Sequence, residues 1–211
     1  MVLHPWYHGC GYAGKVNQDR RDRLRDAAIG VLAEAGGRGL THRAVDAAAT
    51  VPTGTAKNYF PTRDALLRGA AERCAEQYRA LAAALAGTGP GPADAAQLAT
   101  LLAGLLRDVA GPGRPRVLAY LELRAEAARR PWLAALLDPV AASDFTAFAH
   151  LLAAAGLPAG PEPARALTLA LHGAIPHLLT GAPATLAAAG LDDLDRFARD
   201  LLASVCEGAN R

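Results

Sequence analysis

The sequence predicts an all-α protein: an N-terminal three-helix helix-turn-helix unit followed by a larger helical domain. Three observations carry that expectation. Alanine and leucine dominate the 211 residues while aromatics make up only 5%, and small and straight-chain residues favour helix over strand. Apolar residues recur at helical spacing, as in Leu24, Ala27, Ala28, Val31, Leu32 and Ala35. Gly/Pro clusters such as GTGPGP (87–92) and GPGRP (111–115) punctuate the helical stretches.

Taken in order, the elements begin with a stretch that lacks periodicity. MVLHPWYHGCGYAGK has no secretory apolar region, and residues 1–17 read as a flexible tail. A first helix is expected near 18–35, ended by Gly36-Gly37, which permit a left-handed cap. Thr41 is the expected N-cap of a second helix running to Ala49. Pro52 is expected to open a third short helix ending near Phe60. Thr62 then caps a long fourth helix whose stripe is Leu67, Ala70, Ala71, Cys74, Tyr78, Leu81 and Leu85. Beyond the 87–92 break, helices are expected near 93–110, 114–130, 131–155 (kinked or broken at Pro139), 163–181 (bent at Pro176) and from Asp192 to 206. The implied organisation is a small N-terminal helical unit at 18–63 and a larger helical domain at 64–211, with 62–86 as the connecting helix.

Bulk properties narrow the function. With 52% hydrophobic residues the chain can bury a core, which argues against disorder. Net charge is +2, but residues 1–80 carry 12 Lys and Arg against 8 Asp and Glu, and residues 81–211 carry 10 against 12. A basic N-terminal part points towards a polyanion. Cys10, Cys74 and Cys206 have neither disulfide-framework nor metal spacing, which fits a reducing cytoplasm. No apolar run reaches the roughly 20 residues that span a bilayer, so no membrane partner is expected.

The stretch THRAVDAAATVPTGTAKNYF (41–60) has the demands of a helix-turn-helix. Ala44, Val45, Ala48 and Ala49 are small enough for a close crossing, Val51 plugs the turn, and Ala56 and Phe60 can bury one edge of the second helix. The opposite edge offers Thr53, Gly54, Thr55, Lys57, Asn58 and Tyr59. Such a helix enters a major groove about 12 Å wide. Asn58 can pair with adenine in two-pronged fashion, and Lys57 can reach a guanine edge or a phosphate. Thr53 and Thr55 can bond bases or phosphates, and Tyr59 suits a phosphate. Thr41 and His42, and likewise Thr62 and Arg63, sit at helix N-termini where backbone N–H groups can meet phosphate. Arg20, Arg21 and Arg23 can add nonspecific charge.

The run LTHRAVDAAATVPTGTAKNYFPTRDALL (40–67) resembles the DNA-binding signature of the TetR family of bacterial regulators. The matching features are Leu40-Thr41, Val45-Asp46-Ala47, Val51, Gly54-Thr55, Tyr59-Phe60, Thr62-Arg63-Asp64 and Leu66. LELRAEAARRPWLAALL (121–137) also resembles a stretch common in the family's C-terminal domains. The resemblance implies a homodimer reading a double-stranded, pseudo-palindromic operator, most often a repressor released by a small-molecule effector. It also implies dimerisation through the last two long helices. Two positions depart from the pattern: Thr50 stands where glycine is usual, and Lys57 where tyrosine is usual.

For the C-terminal part, candidate effector contacts are Leu102, Leu106, Tyr120, Arg124, Trp132, Phe145, Phe148, His150, His172 and His177, an apolar set with a few polar groups. Candidate dimer contacts are Leu167, Leu171 and Leu178 on one helix and Leu194, Phe197 and Leu201 on the last. His172 and His177, five apart, do not share a helix face, so no metal is expected. Glu122 and Glu126 lack the Glu-x-x-His partners of a di-iron bundle. No nucleophile elbow, phosphate loop or dinucleotide fingerprint is present. Neither catalysis nor a cofactor is therefore expected. The alternative reading is a small-molecule-binding helical protein with a vestigial reader.

Overall fold

The structure is a computed structural model, and it describes residues 10–87 and 91–208. Among them every regular element is a helix: α1 (Cys10–Gly39), α2 (His42–Ala48), α3 (Thr55–Tyr59), α4 (Arg63–Gly87), α5 (Ala95–Ala110), α6 (Arg114–Ala127), α7 (Pro131–Ala154), α8 (Pro161–Thr180), α9 (Pro183–Ala188) and α10 (Leu194–Gly208). The all-α expectation holds, with local differences.

The first helix begins at Cys10 rather than near residue 18, so residues 10–17 of the expected tail are helical; residues 1–9 lie outside the described residues. Its backbone breaks at Gly36, where φ is 66°, inside the Gly-Gly pair expected to end it. Thr41 caps α2, its hydroxyl accepting the Ala44 N–H at 3.1 Å. Thr62 does the same for the Ala65 N–H at 3.0 Å. Helix α3 starts at Thr55, three residues after Pro52: Pro52 to Gly54 form a turn instead, closed by Thr55 N–H to Pro52 O at 3.1 Å. Gly54 takes φ 93°, a left-handed value that a residue with a Cβ resists. Pro139 and Pro176 lie inside continuous helices, so α7 is not broken at 139. The short α9, which buries no residue, went unpredicted because one turn of mixed small residues carries no periodic stripe.

Packing forms two hydrophobic cores. The first joins Leu24, Ala28, Leu32, Val45, Ala56, Phe60 and Leu67 of the first four helices to Ala119, Leu123, Leu133 and Leu137 of α6 and α7. The division expected at residue 63 is therefore not a break in packing. The second core joins α5, the end of α7, α8 and α10, around Leu98, Leu102, Leu152, Leu167 and Leu202. Phe60 fits its place because Gly69 of α4 has no side chain: a Cβ there would lie 2.6 Å from the Phe60 ring.

Candidate nucleic-acid interface and ligand cavity

The α1–α4 seam fixes the frame of the reader. Arg25 is 5% exposed, which would be costly unpaired. Its Nε donates to Gly69 O at 3.1 Å, and its other nitrogens meet Asp22 at 2.9 Å and Glu76 at 2.6 Å. Burial acts to raise the Asp22 carboxyl, but hydrogen bonds from Arg25 and Gln18 outweigh it and hold the group below its ordinary value. Arg73 adds a two-pronged bond to Asp26, at 2.7 and 2.9 Å. Arg21 lies over the Phe60 ring, 4.9 Å from its centroid.

On this frame the residues of α2 and α3 divide between core and surface. Val45 and Ala49 are buried and Ala44 half-buried, but Ala48, expected at the helix crossing, is exposed. Ala56 and Phe60 are buried, and Val51 packs against the same core. Thr53, Lys57 and Asn58 are exposed, with Thr55 and Tyr59 half-buried. The edge expected to be free is free at the two residues with the strongest base-reading chemistry. The Thr55 hydroxyl donates to Pro52 O at 2.6 Å, which leaves it only acceptor capacity. Thr50 has φ 53°, a strained value for a β-branched residue.

Two predicted contacts have structural work of their own. The Arg63 guanidinium donates to the carbonyls of Leu40 and Gly37; its side chain ties α4 to the α1–α2 corner. The His42 ring bonds Phe60 O. Their backbone groups remain the parts suited to phosphate. A residue missed in the sequence is Asp46, only 2% exposed. Its carboxylate accepts the Gly54 and Ala56 N–H groups, both at 2.7 Å. The signal available was its place four residues after His42, on the face that turns towards α3.

α6 holds the same corner from the other side. Glu122 Oε2 accepts the Gly37 N–H at 2.9 Å. Helix α6 runs so close that a Cβ on Gly37 would sit 3.2 Å from Glu126 Oε1. Gly37 is thus gripped through its N–H by α6 and through its carbonyl by α4. Arg68 over Trp132, at 4.4 Å from the ring centroid, ties α4 to α7.

A cavity of about 120 Å³ lies between α5, α7 and α8, lined by Leu105, Leu106, Val109, Asp144, Phe148, Leu171, His172 and Ile175. It gathers three of the predicted effector residues: Leu106, Phe148 and His172. Phe145 stands edge-on to His172, with centroids 6.4 Å apart. Tyr120 instead packs on Tyr78 at 5.0 Å, and burial pushes both hydroxyls above their ordinary values. The others go elsewhere. Leu102 is wholly buried in the second core. Arg124 pairs with Asp138 at 2.8 Å, Trp132 packs against the first core, and His150 and His177 are exposed. Asp144 was missed, although Val140, Asp144 and Phe148 are spaced by four along one face of α7. It lies 3.0 Å from His172 Nε2.

The predicted dimer set needs correcting in the same way. Leu167 and Leu171 are 0% and 5% exposed within the single chain, packed against α5 and α10, so they are unavailable to a partner. The exposed large apolar residue of α8 is Leu169, at 56%. Leu178, Leu194, Phe197 and Leu201 are half-buried at the edge of the second core. Beside Leu201, a cleft of about 420 Å³ runs between α8 and α10 along Ala166, Ala170, Ser204, Val205 and Gly208.

Residues 93–208, helices α5 to α10, match a family model, "Tetracyclin repressor-like, C-terminal domain". The chain belongs to the TetR family. A solved TetR-family member, SCO1917 from Streptomyces coelicolor A3, is 34% identical; the match covers 89% of this chain and 98% of that one, with a TM-score of 0.61. The multidrug binding protein EbrR, complexed with imidazole, is 35% identical over 89% of this chain and 94% of its own, with a TM-score of 0.58. The regulator RHA1_ro04179 from Rhodococcus sp. Rha1 shares the fold, with a TM-score of 0.69 at 22% identity over 89% and 96% of the two chains. No curated protein sequence matches the chain. As a TetR-family chain it is a ligand-responsive, DNA-binding transcriptional regulator. Among the described residues no helix is long and apolar enough to cross a membrane, and no cluster of three or more His, Cys, Asp or Glu is placed to hold a metal.

Proposed function

We propose that this regulator is a cytoplasmic repressor that binds a pseudo-palindromic operator as a homodimer and leaves it when a small molecule binds. In this reading residues 18–63 are the reader and 64–211 the effector-binding and dimerising part, joined by 62–86. The observation that carries it is the division within α3: Ala56 and Phe60 buried, Thr53, Lys57 and Asn58 exposed. That edge reads bases, and the N–H groups near Thr41, His42, Thr62 and Arg63 meet phosphates.

The partner copy covers the α8–α10 cleft and Leu169, where small side chains allow a second helix pair to approach closely. The effector is an aromatic organic cation. Support comes from Phe148 and the Asp144 carboxylate, which lies 3.0 Å from His172 Nε2, in a cavity whose remaining lining is apolar. It comes also from the related EbrR, solved with proflavin, ethidium and malachite green. At about 120 Å³ the cavity is below the usual 300–1,000 Å³ of ligand pockets, so binding must move a wall. Leu105, Leu106 and Val109 form the α5 wall, Val109 lying two residues before the turn that opens at Gly111 and leads into α6, and α6 holds Gly37 at the reader. Displacement of α5 is thereby carried to the reader.

The test is selection of duplexes from random DNA by the purified protein, followed by addition of ethidium. Release of the selected duplex, weakened about 10-fold in Asp144→Asn, supports the whole reading. Selection without release removes the cation; failure to select any duplex removes the repressor.

A further inference from the structure

The reading helix cannot set its own pose. α3 is five residues long, far below the length at which an isolated helix holds together. Its N-cap is Gly54, which has no side chain with which to cap it. Only Ala56 within it is buried, so apolar contact alone leaves its direction loosely fixed.

Helix α2 reaches both of its ends. At the start, the two oxygens of the buried Asp46 carboxylate accept the Gly54 and Ala56 N–H groups, each at 2.7 Å. These belong to the donors that a helix N-terminus leaves unpaired, and an anion there also meets the positive end of the helix dipole. At the finish, His42 Nε2 lies 2.6 Å from Phe60 O. A carbonyl can only accept, so the ring donates and carries its proton on Nε2. His42 and Asp46 are four residues apart, hence on one face of α2.

We propose that His42 and Asp46 are the positioning residues of DNA reading, a two-point polar clamp by which α2 sets the angle and register of α3. Base discrimination demands placement to about 0.5 Å and 10–20°, and Lys57 and Asn58 project from the clamped segment. The effect on operator affinity rests on the DNA-reading function; the clamp itself does not.

Asp46→Asn keeps size and shape but leaves one acceptor oxygen for two donors; Asp46→Ala leaves none. His42→Gln retains a donor that His42→Ala lacks. The probes are a duplex selected from random DNA by the unmodified protein and an unrelated duplex of equal length. Asp46→Asn is expected to lower affinity for the selected duplex about 10-fold, and Asp46→Ala further. Affinity for the unrelated duplex and cooperative thermal unfolding are retained. His42→Gln recovers most of what His42→Ala loses. An equal fall on both duplexes, or full preference retained in Asp46→Ala, overturns the proposal.

Amide hydrogen exchange in the DNA-free protein decides the clamp independently. Exchange at Gly54 and Ala56 should quicken in Asp46→Asn while the α4 core amides stay protected. Unchanged rates sink the clamp whatever the DNA results. If the unmodified protein selects no duplex, it is the DNA-reading function that fails, and the exchange rates still judge the clamp.

Discussion

The α2–α3 pair and the α8–α10 pair are both packed helix pairs, yet they are held by opposite means. Within α8, Leu167, Leu171 and Ala174 are buried and meet Ala198, Leu202 and Val205 of α10 in a continuous apolar core. Within α2–α3 the apolar anchors are few, chiefly Val45, Ala56 and Phe60, and the corner is held by hydrogen bonds that His42 and Arg63 donate and the Asp46 carboxylate accepts. Apolar packing tolerates small shifts, whereas directional bonds do not. In the proposed reading, the surface that matches base edges is held by directional bonds, and the surface that meets a second copy is backed by an apolar core.

Substitutions that break one pair should leave the other standing. The largest effect is expected at Leu167→Asp, which buries a charge in the second core. It should cost about 4 kcal/mol or more, read as loss of the thermal transition. Leu169→Asp, two residues away and 56% exposed, should leave the thermal transition of the isolated subunit nearly unchanged. It should shift sedimentation from dimer to monomer. Equal destabilisation by both would contradict the assignment of faces.

Next in size, Lys57→Ala and Asn58→Ala should each reduce specific duplex binding about 10- to 100-fold with unchanged circular dichroism. Lys57→Ala should also lower the salt slope by about one if its contact is to phosphate. Glu122→Ala removes the bond from α6 to Gly37. It should cost about 1 kcal/mol and weaken the effect of ethidium on DNA affinity more than the DNA affinity itself. The smallest effect is expected at Thr50→Gly. It relieves a positive φ but loosens the unfolded chain, for a net gain within about 1 kcal/mol by denaturant unfolding.

Much of this was legible in the sequence where a local rule operates. Thr41 and Thr62 cap because capping is decided within three residues. Ala56 and Phe60 bury because a helix with two apolar residues four apart has one face to hide. The strain at Thr50 could be anticipated because a tight turn at a glycine-type position demands a left-handed backbone. What escaped depends on partners distant in sequence. Trp132 and Arg124 looked like pocket residues, but the first core reaches across from α1 and α4 to claim Trp132, and Arg124 pairs with Asp138 at the surface. Leu167 and Leu171 looked like a dimer face because periodicity shows that a face is buried without saying against what. Asp46 and Arg25 are charged side chains placed inside by partners that only the fold supplies, and the half-buried Asp144 meets His172 from another helix.

The most direct test of the account is a footprint on a duplex selected by the unmodified protein, repeated with Lys57→Ala/Asn58→Ala. The account predicts two protected half-sites about 34 Å apart, and their loss in the double variant while the dimer and its thermal transition persist. Protection of a single site, or protection that survives the double substitution, would contradict it.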